Sequence, residues 1–170
     1  KNLPELSPEN GFVAAYLPGL PRITYEKFEK DFSGRAVHAA SDSDGIGAVI
    51  VWNTQNAEAG KSLFSGEDVL CINPLNWRTD ETPATADENP GAFFYDYRTG
   101  KTVIKPHFCG ARIDLKKGAV IVDLPSMSEY DARGMLGAGV FHVNDVYFFA
   151  ESIARNAAER VKAYSSNCSR

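Results

Sequence analysis

Apolar residues along this chain fall into short continuous runs and two helix-spaced stripes, separated by polar, Gly- and Pro-rich connections. GFVAAYLPG, from Gly11 to Gly19, is an apolar run bounded by glycines and reads as a buried strand. Ile23, Phe28 and Phe32 then recur at roughly helical spacing, which predicts a short helix. GIGAVIVWN, residues 45 to 53, is a second, β-branched strand, and GAVIVDLP, residues 118 to 125, is a third. Runs that are continuous rather than alternating predict strands covered on both faces, as in a parallel sheet between helices.

Between these strands the pattern changes. Residues 54 to 90 are irregular and rich in Asn, Gly, Pro and Thr, with one apolar island, VLCINPLNW. So long a connection in a compact domain predicts a functional role, and residues 54 to 106 are expected to form a lid or insertion over a cleft. Within it, FFYDYRTGKTVIKP predicts a hairpin turning at Arg98-Thr99-Gly100. The chain closes on DVYFFAESIARNAAERVKAY, where Val146, Phe149, Ile153, Ala157, Val161 and Tyr164 recur every three or four residues. That stripe predicts an amphipathic helix, with Asn144 or Asp145 as its N-cap.

Composition narrows the class. The 170 residues suffice for one domain, 44% are hydrophobic and 24% charged, and the net charge is −4 with signs mixed along the chain. An acidic protein with no basic stripe is a poor nucleic-acid binder. No apolar run is long enough for a transmembrane helix, and KNLPELSPENG lacks the apolar core of a signal peptide. Cys71, Cys109 and Cys168 form no C-x-x-C pair. Cys71 and Cys109, each beside an apolar stretch, fit either a disulfide or two buried thiols.

The chemistry concentrates where the third strand leads into the last helix. A loop through Gly137 and Gly139 places His142 just before the helix start. In serine hydrolases with an α/β sheet, the histidine that shuttles the serine proton occupies a loop after the last strand. An imidazole suits the task because its pKa lies near neutrality. Asp145, three residues on, either accepts from the imidazole and fixes its tautomer or simply caps the helix.

These segments also resemble a known group. GFVAAYLPGLP, GIGAVIVWNT, LCINPLNW, ENPGAFF and GVFHVNDVYFFAESIARNAAERV occur in the order found in a bacterial family of the α/β-hydrolase superfamily, domain of unknown function three thousand and eighty-nine. The resemblance runs from about Gly11 to Val161, with INPLNW and FHVNDVYFF its most specific parts. It implies the C-terminal part of an α/β-hydrolase fold, a mostly parallel sheet flanked by helices, spanning residues 1 to 170 with an irregular insertion. The activity implied is that of an esterase or lysophospholipase-like enzyme. In such a family a Gly-His-Ser-Gln-Gly elbow precedes the strand matched by GFVAAYLPG.

Here no Gly-x-Ser-x-Gly occurs, and Ser33 and Ser65 lack the flanking glycine and strand-to-helix setting of a nucleophile. The family's cysteines near the second strand are also missing from VHAASDSDGIGAVIVWN. Half a sheet leaves apolar faces and strand edges open. The expectation is therefore a companion polypeptide: an N-terminal fragment of the same precursor, nicked before Lys1, that carries the serine while this chain supplies His142. A small-molecule or lipid ester is the substrate expected, and no cofactor or metal is implied. A cleaved precursor and a disulfide would both fit an extracytoplasmic, periplasmic or secreted location.

The acid of the triad is less sharply marked. In the general fold it follows the strand before the last, but GAVIVWN ends at Asn53 with no carboxylate before Glu58. Asp145 ranks first and Asp44 second, ahead of Asp42 and Asp123. Asp42-Ser43-Asp44-Gly45 lacks the later ligands of a calcium loop and reads as an Asx-rich turn. His38 and His107 have no ligand-like partners at metal spacing. Trp52, Asn73 and Trp77 are candidates for a substrate pocket, against the alternative that the large aromatics are core. Asn167-Cys168-Ser169 matches a glycosylation sequon, which carries no functional weight in the bacterial origin that the resemblance implies. The rival to a hydrolase is a binding or surface-assembly domain that keeps the fold and lacks the chemistry.

Overall fold

The computed structural model describes residues 6–124, 130 and 136–168. Its strands are β1 (Ala14–Tyr16), β2 (His38–Ala39), β3 (Ala48–Ile50), β4 (Thr54–Gln55), β5 (Ala92–Asp96), β6 (Lys101–Lys105), β7 (Arg112–Asp114) and β8 (Ala119–Ile121). Among the described residues, α-helices α1 (Tyr25–Phe32) and α2 (Ala150–Cys168) complete a mixed α/β architecture of small sheets. β1, β3 and β2 form a parallel sheet, β4 pairs parallel with β8 and β8 antiparallel with β7, and β5–β6 is a hairpin. No described helix is long and apolar enough to cross a membrane.

One extended run, from Gly47 through β3 and β4 to Gln55, organises these pieces. Its even-numbered carbonyls face one edge: Ile50, Trp52 and Thr54 accept from the amides of Leu17, Gly19 and Phe141. Its odd-numbered carbonyls face the other: Gly47, Val49, Val51, Asn53 and Gln55 accept from His38, Ala40, Ile72, Val120 and Val122. The run keeps its direction while its neighbours change: the strand expected over residues 45 to 53 is β3, and β4 follows it at the start of the stretch expected to be irregular. Side chains alternate with the pleat. Ala48, Ile50 and Trp52 join the main core with Phe141, Phe148 and Phe149, whereas Val51 packs with Phe28 and Leu70 on the other face.

The expected short helix, hairpin and closing helix are present as α1, β5–β6 and α2. The residues from 118 to 125 form β8 up to Ile121, and Pro125 lies outside the described residues, as do Gly134 and Met135 of the glycine-rich stretch. β7, which turns back antiparallel onto β8, adds a strand that its charged sequence did not signal. Residues 54 to 106 are no simple cover. Val69, Leu70, Cys71, Ile72, Leu75, Trp77 and Ala84 are buried, and the Ile72 amide bonds directly to the central run.

The closing helix differs from expectation at its start and on its buried face. Neither Asn144 nor Asp145 caps it: two 3-10 segments, His142–Asn144 and Tyr147–Phe149, precede α2. Asp145 is drawn inward instead, at 2% exposure, because the Thr54 amide offers its carboxylate a partner. Val161, expected in the apolar stripe, is 53% exposed, while Ser152, Asn156 and Arg160 are buried. Each of these polar side chains meets a carbonyl: Ser152 donates to Pro74, Asn156 to Ser43, and Arg160 to Gly45 and Asp42. Satisfied polar groups can thus occupy the face where hydrophobic residues were expected.

Cys71 and Cys109 are free and buried. The disulfide alternative is not realised, so it lends no support to an extracytoplasmic location. Burial pushes both thiols up to about 12. In the native protein, peptide mapping after thiol alkylation should find Cys71 and Cys109 unmodified near neutral pH, and denaturant should expose both. Reductant should leave the Tm unchanged, and a fall in Tm would reveal a covalent link.

Candidate active site

His142 and Asp145 are brought together at the end of the central run. The imidazole Nδ1 lies 3.1 Å from Asp145 Oδ2, and the Thr54 amide donates to Asp145 Oδ1 at 2.6 Å. The Trp52 indole donates to the Asp145 backbone carbonyl at 3.0 Å. Residues 52 and 54 of the central run thus hold Asp145 by its backbone carbonyl and by its carboxylate, and Phe141 N bonds Thr54 O to hold the histidine loop beside it. A buried carboxylate bonded to Nδ1 favours the tautomer with the proton on Nδ1, leaving Nε2 to accept.

Burial raises the Asp145 pKa, and the hydrogen bonds from His142 and Thr54 work in the opposite direction. Burial disfavours the charged form, while the two donors stabilise the carboxylate. Half-exposed His142 is the open side of the pair, its side chain retaining 31% exposure against 3% for Asp145.

Two further contacts orient the ring. Phe64 stacks on it at a centroid distance of 4.0 Å and an interplanar angle of 16°. Gly19, at φ 78, approaches so closely that a Cβ there would fall 2.0 Å from His142 Cε1. The Phe64 loop is itself pinned. The Ser65 hydroxyl accepts from the Ser62 amide and hydroxyl, and Arg22 donates to the carbonyls of Ser62 and Ser65. Ser65, although next to Phe64, is therefore tied into this turn and buried at 5% exposure.

The run also turns polar where it meets the pair. Asn53, Thr54, Gln55 and Asn56 are all buried. Asn53 Oδ1, Thr54 Oγ1 and Gln55 Nε2 have no hydrogen-bond partner among the described residues. Leaving such groups unpaired costs about 1–3 kcal/mol each, and polar groups concentrated at one place are characteristic of binding and catalytic sites. Phe64, Gly19 and this polar row were not among the expected site residues. In the sequence the row shows only as Asn-Thr-Gln-Asn after an apolar strand, a pattern that an ordinary polar turn shares.

Other expected site residues lie elsewhere. Asp44 is exposed beside Glu159 and Lys162 of α2 and makes no contact with His142. Its turn is closed by Gly45 N donating to Asp42 Oδ1, and Arg160 and Asn156 occupy the Asp42, Ser43 and Gly45 carbonyls, so the Asx-turn geometry holds. Trp52, Asn73 and Trp77 are packed in the core rather than along an open pocket. Asn73 bridges Ala111 O and Leu75 N, which is a structural assignment for its whole amide. Among the described residues, no three His, Cys, Asp or Glu side chains gather as metal ligands.

Comparison with known protein families, curated proteins and solved structures yields no match to this chain.

Asp145→Ala should lower stability by about 1–3 kcal/mol, because the Thr54 amide loses its acceptor. Asp145→Asn keeps an acceptor and should be much milder. The raised Asp145 pKa makes the native state bind more protons than the unfolded state between its ordinary and raised values. This contribution to stability is therefore present at low pH and lost as pH rises through the raised pKa. Thermal melts across that window should show the wild type losing ground to Asp145→Asn as pH rises; parallel curves would contradict the burial account. Gly19→Ala should displace the imidazole, read as a shifted His142 ring resonance in a protein that remains folded.

Proposed function

We propose that the protein is a serine-type hydrolase of the α/β-hydrolase kind, acting on ester bonds, in which His142 is the general base and Asp145 its partner acid. The reading rests above all on the 3.1 Å contact between His142 Nδ1 and a buried, doubly hydrogen-bonded carboxylate. The order of parts supports it as well: parallel strand pairs, then β8, the histidine and α2. The sequence resemblance points the same way.

The nucleophile is a serine on a companion polypeptide segment, since the chain has no nucleophile elbow of its own. An unpaired strand edge and an apolar groove among the described residues support that reading. β1 pairs with β3 along one edge and has no strand on its other edge among the described residues. Beside it lies an all-apolar groove of about 150 Å³ that includes Ala15 of β1 and Leu17 just after it, with Phe12, Phe28 and Phe32. A parallel strand paired along β1, with a helix over the groove, would cover surfaces that parallel sheets normally bury.

In the reaction, Nε2 of His142 takes the serine proton as the hydroxyl attacks the ester carbonyl. Asp145 stabilises the imidazolium, which then protonates the leaving alcohol. Phe64 and Gly19 keep the ring from rotating away between these steps.

Fluorophosphonate labelling of the purified protein, followed by peptide mapping, tests this reading. The expected result is a labelled serine on a co-purifying polypeptide, with labelling slowed by roughly four orders of magnitude in His142→Ala. Labelling undiminished by that substitution would remove His142 as the base. A folded monomer of this chain alone, with no reactive serine, would favour the non-catalytic binding domain.

A further inference from the structure

A cavity of about 460 Å³ lies where the 59–67 loop meets the turn between β7 and β8. Its wall carries Arg22, Lys61, Lys116 and Lys117 against a single carboxylate, Glu67. So concentrated a positive surface is unexpected in a protein of net charge −4.

Two of the four cations, Arg22 and Lys117, are held in place by backbone carbonyls. Arg22 donates through Nε to Ser65 O and through Nη2 to Ser62 O, each at 3.1 Å. Lys117 Nζ donates to Ala57 O at 2.6 Å and Ala59 O at 3.1 Å. These partners are carbonyls, which fix both side chains without setting an opposing charge against them. Among the described residues none of the four cations forms an ion pair. Arg22 adopts φ 43, a left-handed conformation unusual for its residue type, and such strain gathers at functional sites. The two walls are also locked together. Gly66 N donates to Lys117 O at 2.7 Å, and a Cβ on Gly118 would fall 2.1 Å from Gly66 O.

We propose that this cavity binds a phosphate-bearing small molecule. Preorganised, uncompensated cations favour a multiply charged oxyanion, and Arg22 with three lysines suits a phosphate group. The volume exceeds what an inorganic ion fills and lies in the range of small-ligand pockets, so the remaining space takes the organic part. The assignment stands on the cavity alone and is independent of the hydrolase reading. The two places do share a loop: Phe64 stacks on His142, and Ala59, Gly60, Lys61 and Ser65 line the cavity.

Isothermal titration calorimetry of the protein with glycerol 3-phosphate and with inorganic phosphate, at ionic strength matched with chloride, tests the site. Saturable binding of both is expected, tighter for the organic phosphate. Exposed Lys61 and Lys116 can be changed without disturbing the core, and the Lys61→Gln, Lys116→Gln double variant should weaken binding about tenfold or more. Glu67→Gln, which removes the one opposing charge, should tighten it. Absence of saturable binding, or affinity unchanged in all the variants, would overturn the proposal.

Discussion

A carboxylate at 2% exposure needs partners, and Asp145 finds them on the central extended run. The Thr54 amide and the His142 ring bond to its two oxygens, while Trp52 bonds to its backbone carbonyl. Much of the site's geometry follows from that burial. It pulls the residue out of the helix-capping role, breaks the chain into two 3-10 segments before α2 and fixes the imidazole by one nitrogen. The central run makes the arrangement possible, because its even carbonyls bind β1, then Gly19, then Phe141 in succession. Gly19 and the histidine loop are thus neighbours along one edge, and the ring packs directly against the glycine.

The same run separates what was legible in the sequence from what was not. Its β-branched residues, Val49, Ile50 and Val51, announce a buried strand, and the spacing through Phe149 and Ile153 announces the last helix. Those signals depend on local periodicity, which a sequence carries directly. Asp145 was compatible with capping and with binding an imidazole, because three-residue spacing serves both, and its place before a helix favoured capping. Only the position of Thr54, remote in sequence, decides between them. The inward face of α2 was obscured for a related reason. Ser152, Asn156 and Arg160 look solvent-facing by residue type, yet each has carbonyl partners contributed by distant segments. Trp52 and Trp77, large aromatics for which core packing was the favoured reading over a pocket, are indeed buried.

The loop from Ala59 to Glu67 belongs to both chemically notable regions. Hydrogen bonds between Ser62 and Ser65 and the carbonyl contacts of Arg22 and Lys117 make it a fixed wall rather than a loose cover. One side chain of that wall, Phe64, stacks on the imidazole, and its neighbours face a cationic cavity. The expectation of a functional connection in this part of the chain is thereby given specific residues, although much of the segment serves the core.

The central claim is that a buried Asp145 holds His142 with its proton on Nδ1 and Nε2 ready to accept. Nitrogen-15 NMR of the His142 ring near neutral pH tests it most directly. The account predicts a protonated, strongly hydrogen-bonded Nδ1, an unprotonated Nε2, and loss of that tautomer preference in Asp145→Ala. A ring carrying its proton on Nε2, or a preference unchanged by the substitution, would contradict it.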